Sequence, residues 1–157
     1  MKKMIIACSM LENELTRAME ETGCQTPICW VERGLHDAPA KLRQELQSLV
    51  DQYGPEYDAL LLCYGFCGGA LDGIVSPHAQ LVLPAFHDCI QMLLCRPDGA
   101  DAKAIDALYF TESWTQSPRF IGNEYADYCA RCGGEKAQRA YRLMLQEYHS
   151  MTLVDTG

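Results

Sequence analysis

The chain has 157 residues, 48% hydrophobic and 22% charged, with 13 Lys and Arg against 21 Asp and Glu for a formal net charge of −8. That composition is too apolar for a disordered chain and predicts a single domain over 1–157. The acidic balance argues against a nucleic-acid groove, which needs clustered Lys and Arg, and no apolar stretch approaches the roughly 20 residues that cross a bilayer.

Short apolar runs alternate with helical patterns along the chain. Met4 to Cys8 reads as a buried strand. Only those five apolar residues separate Lys3 from Ser9. A secretory signal needs an apolar core of about 7–15 residues, so a cytoplasmic location is expected. Ser9-Met10-Leu11-Glu12 fits a capping box, and Leu11, Leu15, Ala18 and Met19 repeat at helical spacing up to Gly23. Pro27 to Val31 is a second strand. Leu42, Leu46, Leu49, Val50 and Tyr53 form an apolar stripe that stops at Gly54-Pro55 and predicts a helix. Ala59 to Cys63 is a third strand, followed by the turn-rich Tyr64-Gly65-Phe66-Cys67-Gly68-Gly69. Leu81 to Leu83 is a fourth strand, Cys89 to Cys95 a helical segment, and 97–106 a flexible loop. Ala107 to Phe110 is a fifth strand, Ala137 to Tyr148 carry a last helical stripe, and Met151 to Val154 form a terminal strand. The alternation predicts an α/β fold of the three-layer αβα kind, with a mainly parallel sheet of about five strands.

Nine cysteines are the anomaly. Without an export signal they point to metal ligation, redox chemistry or inert burial rather than a disulfide framework. Cys8 closes the first strand, Cys67 lies in the turn after the third, and Cys89 follows the fourth, where Asp88 and Gln91 fit a capping box. Loops after the carboxyl ends of parallel strands line one crevice, so these thiols are expected on one rim, with His36 and His87 approaching it. Helix N-termini there would lower the thiol pKa values. Three thiolates with one or two imidazoles suit an iron–sulfur cluster or, alternatively, zinc. Gly65, Gly68 and Gly69 would let backbone amides approach cluster sulfides. The plain alternative is cysteine packed as a small buried hydrophobe. Cys129-Ala130-Arg131-Cys132 has metal or dithiol potential, but no second pair stands at finger spacing. Glu112, after the fifth strand, is a candidate acid or base beside His87, with a surface carboxylate the simpler reading.

Gly34-Leu35-His36, Tyr64-Gly65-Phe66-Cys67-Gly68, His87-Asp88-Cys89-Ile90 and Thr111 to Trp114 occur in an order that resembles the domain-of-unknown-function 1638 family. Cys8 and Glu14-Leu15 fit its opening pattern. Ser113 stands where relatives usually have Gly, and Leu94-Cys95-Arg96 where many read Leu-Gly-Ser. By position Cys8, Cys67 and Cys89, with His36 and His87, correspond to the family's recurring cysteines and histidines. Members occur chiefly in anaerobes, often beside corrinoid-dependent methyltransferase genes. The resemblance therefore implies a cytoplasmic role near one-carbon metabolism, with a corrinoid protein or methyltransferase as partner.

The leading expectation is a metal-site protein serving corrinoid or methyl-group chemistry, with a small thiol or methyl donor as substrate. Cys8, Cys67 and Cys89 would be its ligands, with His87 or His36 as the fourth. His87-Asp88-Cys89 is similar to the His-x-Cys ligand pair of zinc methyltransferases, by analogy alone. Two alternatives stand beside it. One is an adaptor or chaperone docking on a corrinoid protein or methyltransferase. The other is a metal-free thiol enzyme with Cys67 or Cys89 as nucleophile and His87 as base.

Overall fold

A strand of unbroken apolar residues needs cover on both faces, and β1 (Lys3–Cys8) has it, with Ile6 and Ala7 fully buried. The computed structural model describes residues 1–95 and 103–156, apart from the side chain of His36. Around β1 lie β2 (Ile28–Val31), β3 (Ala59–Cys63) and β4 (Gln80–Val82), in the order β2-β1-β3-β4 with every pairing parallel. Parallel neighbours require crossovers. Helix α1 (Glu12–Thr22) carries the chain from β1 to β2, and α2 (Pro39–Tyr53) from β2 to β3. Leu42, Leu46 and Val50 recur every fourth residue on α2, and all three are buried with Ile6, Leu60 and Leu62. The link from β3 to β4 has no α-helix, only a short 3₁₀ turn at Cys67–Gly69. Helix α3 (Cys89–Leu94) follows β4.

The chain divides into two compact units, Met1–Asp101 and Ala102–Gly157. The second holds β5 (Ala107–Phe110), α4 (Glu112–Thr115), α5 (Ile121–Cys132), α6 (Gly134–Met144) and β6 (Ser150–Leu153). Its two strands pair in parallel. Edge-on ring contacts tie its layers together: Phe110 meets Phe120 at 5.3 Å, and Tyr125 meets Tyr141 at 4.9 Å.

The protein is thus an α/β fold with a largely parallel sheet, consistent with the three-layer αβα class. Several local expectations change. The capping box at Ser9 and Glu12 does not form: Ser9–Leu11 is a 3₁₀ turn whose Met10 and Leu11 are buried, and α1 starts afterwards without a side-chain cap. Helix α5 lies where no helix was read, and the last helix stops at Met144, short of Tyr148. Residues 97–102 of the expected loop lie outside the described residues. Among the described residues no helix is long and apolar enough to cross a membrane.

Candidate active site

The sheet's carboxyl ends are where the expected thiols converge. Cys8 is the last residue of β1, and β1 ends level with β2, Cys8 pairing with Val31. Strand β3 stops at Cys63, and the Tyr64 amide donates to the Leu62 carbonyl at 2.9 Å in a tight reversal. Two further amides lock the turn onto the segment before α3. Phe66 N donates to Phe86 O at 2.9 Å, and Cys67 N to His87 O at 3.2 Å. Gly65 permits this approach, because a Cβ there would lie 2.4 Å from the Asp88 Cα. On the far side the Arg43 guanidinium donates to the Gly69 carbonyl at 2.6 Å. Asp88 caps α3 by accepting from Gln91 N at 2.8 Å, and the Gln91 side chain accepts from His87 N at 2.7 Å. The Asp-x-x-Gln box is thus half realised, with the return bond one residue early.

Cys67 has φ +43°, the sole positive φ at a non-glycine among the described residues. A side chain in that region costs about 1–2 kcal/mol, and such strain persists only where the surroundings over-determine it. Here they do.

The three thiols share one electrostatic environment. Burial pushes the Cys67 thiol up to about 11, helped by charge on Cys8 and Asp88. Burial likewise pushes Cys89 up to about 12, with Cys67, Cys8 and Asp88 adding to it. Cys8 is raised by burial, partly offset by a backbone hydrogen bond and by the positive charge of Arg33. The lowering expected from helix N-termini is therefore reversed, because desolvation outweighs it. Tyr64 is 3% exposed, its hydroxyl has no hydrogen-bond partner, and burial together with Cys8 and Cys67 raises its pKa. Both carboxylate oxygens of Glu14, in the first turn of α1, are also buried without a partner. His87 is exposed, its ring 6.5 Å from that of Phe66.

This geometry corrects the metal reading. Among the described residues no group of three or more His, Cys, Asp and Glu side chains could hold a metal ion. The iron–sulfur cluster, the zinc alternative and the ligand roles of Cys8, Cys67, Cys89 and His87 are withdrawn. Zinc ligation needs its donor atoms about 2.0–2.3 Å from one point, and no set of described side chains converges that way. The His36 side chain lies outside the described residues. Gly65, Gly68 and Gly69 serve the turn itself: Gly65 packs on the Asp88 backbone, Gly68 on Pro39 and Gly69 on Asp72. All nine cysteines lie among the described residues and none forms a disulfide.

Glu112 is the exposed first residue of α4, in the second unit, and accepts from Gln116 at 3.4 Å. The sequence reading missed Tyr64, Arg33 and Arg43. It also passed over a usable signal: Gly65-Phe66-Cys67-Gly68-Gly69 after a strand has the Gly-x-nucleophile-x-Gly spacing of a strained elbow.

No curated protein and no solved structure matches this chain. One family model does, described as a protein of unknown function, DUF1638, over residues 30–157. That span takes in Cys67, His87 and Cys89, while Cys8 and Glu14 lie before it. The chain belongs to the DUF1638 family.

Proposed function

We propose that this protein is a metal-free thiol enzyme in which Cys67 is the nucleophile and His87 the general base. The observation that carries the proposal is the left-handed backbone of Cys67, on a turn clamped by two cross-loop hydrogen bonds and by Arg43. A strained strand-to-turn junction presents a nucleophile above a sheet. In the covalent step Cys67 Sγ attacks an electrophilic carbon. The S–C bond forms as the bond from that carbon to its leaving group breaks, the leaving group departs with the electron pair, and the thiol proton passes to the His87 imidazole. The thiol rests protonated at neutral pH, so the base is needed for each turnover. Tyr64, buried and neutral, offers its unpartnered hydroxyl to the sulfur as charge develops. A methyl donor is an electrophile that suits this step, and nine cysteines outside disulfides suit a reducing cytoplasm.

A second reading is docking on a corrinoid protein or methyltransferase. It is favoured by Met151 and Leu153, alternate residues of β6 that are 64% and 60% exposed. Co-purification of such a partner that persists in Cys67→Ala would support docking over catalysis.

The test of the nucleophile is iodoacetamide labelling of the full chain without oxygen, resolved by peptide mass. Cys63, a partly buried thiol that ends the strand before the turn, is the internal control. Cys67 is expected to label well ahead of Cys63, and His87→Gln to slow Cys67 by about tenfold or more. Equal labelling of the two thiols, unchanged by His87→Gln, would overturn the proposal.

A further inference from the structure

Helices α5 and α6 of the second unit are joined at Gly133, whose φ of +86° breaks the helical path. The rings of Tyr125 and Tyr128 on α5 lie 4.9 and 6.2 Å from that of Tyr141 on α6. Beside them is a cavity of about 660 Å³ whose walls include Tyr128, Tyr141, Arg119, Glu124, Asp127 and Arg131. That volume falls within the roughly 300–1,000 Å³ of small-molecule sites. The charges in it are held apart. Asp127 and Arg131 stand four residues apart on α5, the spacing at which an acid and a base ordinarily close an ion pair. Among the described residues they make none. The Arg131 guanidinium lies over the Tyr128 ring instead, 5.8 Å from its centroid, and Asp127 has no partner. The neighbouring pair, Arg119 with Glu124, is loose at 3.7 Å, with both side chains about half exposed.

We infer that this cavity binds a free amino acid with a large apolar side chain, as its zwitterion. The carboxylate goes to Arg131, the ammonium to Asp127, and the side chain against the rings of Tyr128 and Tyr141. A guanidinium stacked on a ring keeps its fork of in-plane N–H donors open, and that fork matches a carboxylate. A carboxylate one helical turn away, with no cation of its own, takes an ammonium. A simple anion on Arg131 would be repelled by the uncompensated Asp127, and a simple cation on Asp127 by Arg131. Only a ligand carrying both charges satisfies both groups. The phenol faces supply the apolar contact that the backbone part of an amino acid lacks. Every one of these residues belongs to the second unit, and none of this chemistry depends on Cys67.

Three matched probes test this on the full chain, each followed by NMR at the Tyr128 and Tyr141 ring protons. They are L-phenylalanine, 3-phenylpropanoate, which lacks the ammonium, and 2-phenylethylamine, which lacks the carboxylate. L-phenylalanine is expected to shift the ring signals saturably, with each of the other two weaker by about tenfold or more. Arg131→Gln should weaken L-phenylalanine about tenfold and leave 2-phenylethylamine no weaker. Asp127→Asn should weaken L-phenylalanine likewise and leave 3-phenylpropanoate no weaker. Both side chains are exposed, and matching melting curves confirm that the variants fold. Ala130→Trp, which places a large ring in the cavity without touching its charges, should abolish the shifts. The site is overturned if L-phenylalanine gives no saturable shift, or if its shifts survive unchanged in Ala130→Trp. The zwitterion is overturned if 3-phenylpropanoate or 2-phenylethylamine binds as well as L-phenylalanine, or if neither charge variant weakens it.

Discussion

Two pairs of cysteines invite comparison: Cys67 with Cys89 on the sheet rim, and Cys129 with Cys132 in the second unit. By spacing alone the second pair is the more conspicuous, since Cys-x-x-Cys is a common metal and redox motif. Yet it occupies the last turn of α5, where the helix dipole is negative and opposes a thiolate. Its thiols are turned to local use: Cys132 Sγ donates to the Tyr128 carbonyl at 3.2 Å, and Cys129 shares a hydrogen bond with Tyr125 that raises the phenol pKa. A redox pair would sit at the opposite end of a helix. Cys67 and Cys89 lie 22 positions apart, with no motif spacing, and are brought together by backbone contact between two loops. Function follows where the backbone is strained, and of these four cysteines only Cys67 has a left-handed φ.

The largest expected effect sharpens that contrast at two glycines. Gly65→Ala drives a Cβ to 2.4 Å from the Asp88 Cα, a collision between two backbones with no side chain able to yield. A loss of about 3 kcal/mol in urea unfolding is expected, together with loss of selective Cys67 labelling. Gly134→Ala meets open space at a backbone conformation that any residue adopts, so a change within about 0.5 kcal/mol is expected there. If the two variants cost the same, the rim is not clamped as described.

Alkaline stability comes next. Cys67 and Cys89 are raised from 9.0 to about 11 and about 12, so the folded state binds their protons more tightly than the unfolded state. Their contribution is fully present below pH 9.0 and is lost as pH rises through those folded values. The slope is up to about 1.4 kcal/mol per pH unit for each thiol. Unfolding measured across this window should flatten in Cys89→Ala, and an unchanged slope in that variant would contradict the burial of these thiols.

Strain at the turn predicts a smaller, oppositely signed effect. Cys67→Gly should be more stable than Cys67→Ala by about 1 kcal/mol, because glycine accepts a left-handed φ at little cost. Equal stabilities would remove the strain on which the nucleophile assignment rests. Smallest of all is Cys132→Ala, which should change stability by about 0.5 kcal/mol or less and leave Cys67 labelling untouched.

Much of this fold is legible in the sequence for simple reasons. Ala59–Cys63 and Ala107–Phe110 are short apolar runs bounded by polar or turn residues, and both strands fall where the runs do. The α2 stripe is as clear in the sequence as in the core. Helix α5 escaped because its inward positions are Tyr125, Tyr128 and Cys129, which read less strongly apolar than Leu or Ile although they recur at helical spacing. The rim followed from strand order: residues that end parallel strands share an edge. What did not follow was protonation. Spacing says which sulfurs are neighbours, but the depth of burial decides whether they are thiolates, and burial belongs to the assembled core. The metal expectation fails on geometry, since among the described residues no three donors converge on one point. Tyr64 stands in the Tyr-Gly-Phe-Cys-Gly run of the sequence, but nothing in that run marks its hydroxyl as buried without a partner.

The most direct test of the account is the pH profile of Cys67 alkylation by iodoacetamide, read site by site beside Cys63 and the exposed Cys24, whose thiol pKa is lowered by its Thr26 hydrogen bonds. The account predicts that Cys67 outpaces Cys63 throughout and that its rate keeps climbing until about 11, while Cys24 levels off earlier. A Cys67 rate that never exceeds that of Cys63, or that is already flat at neutral pH, would contradict it.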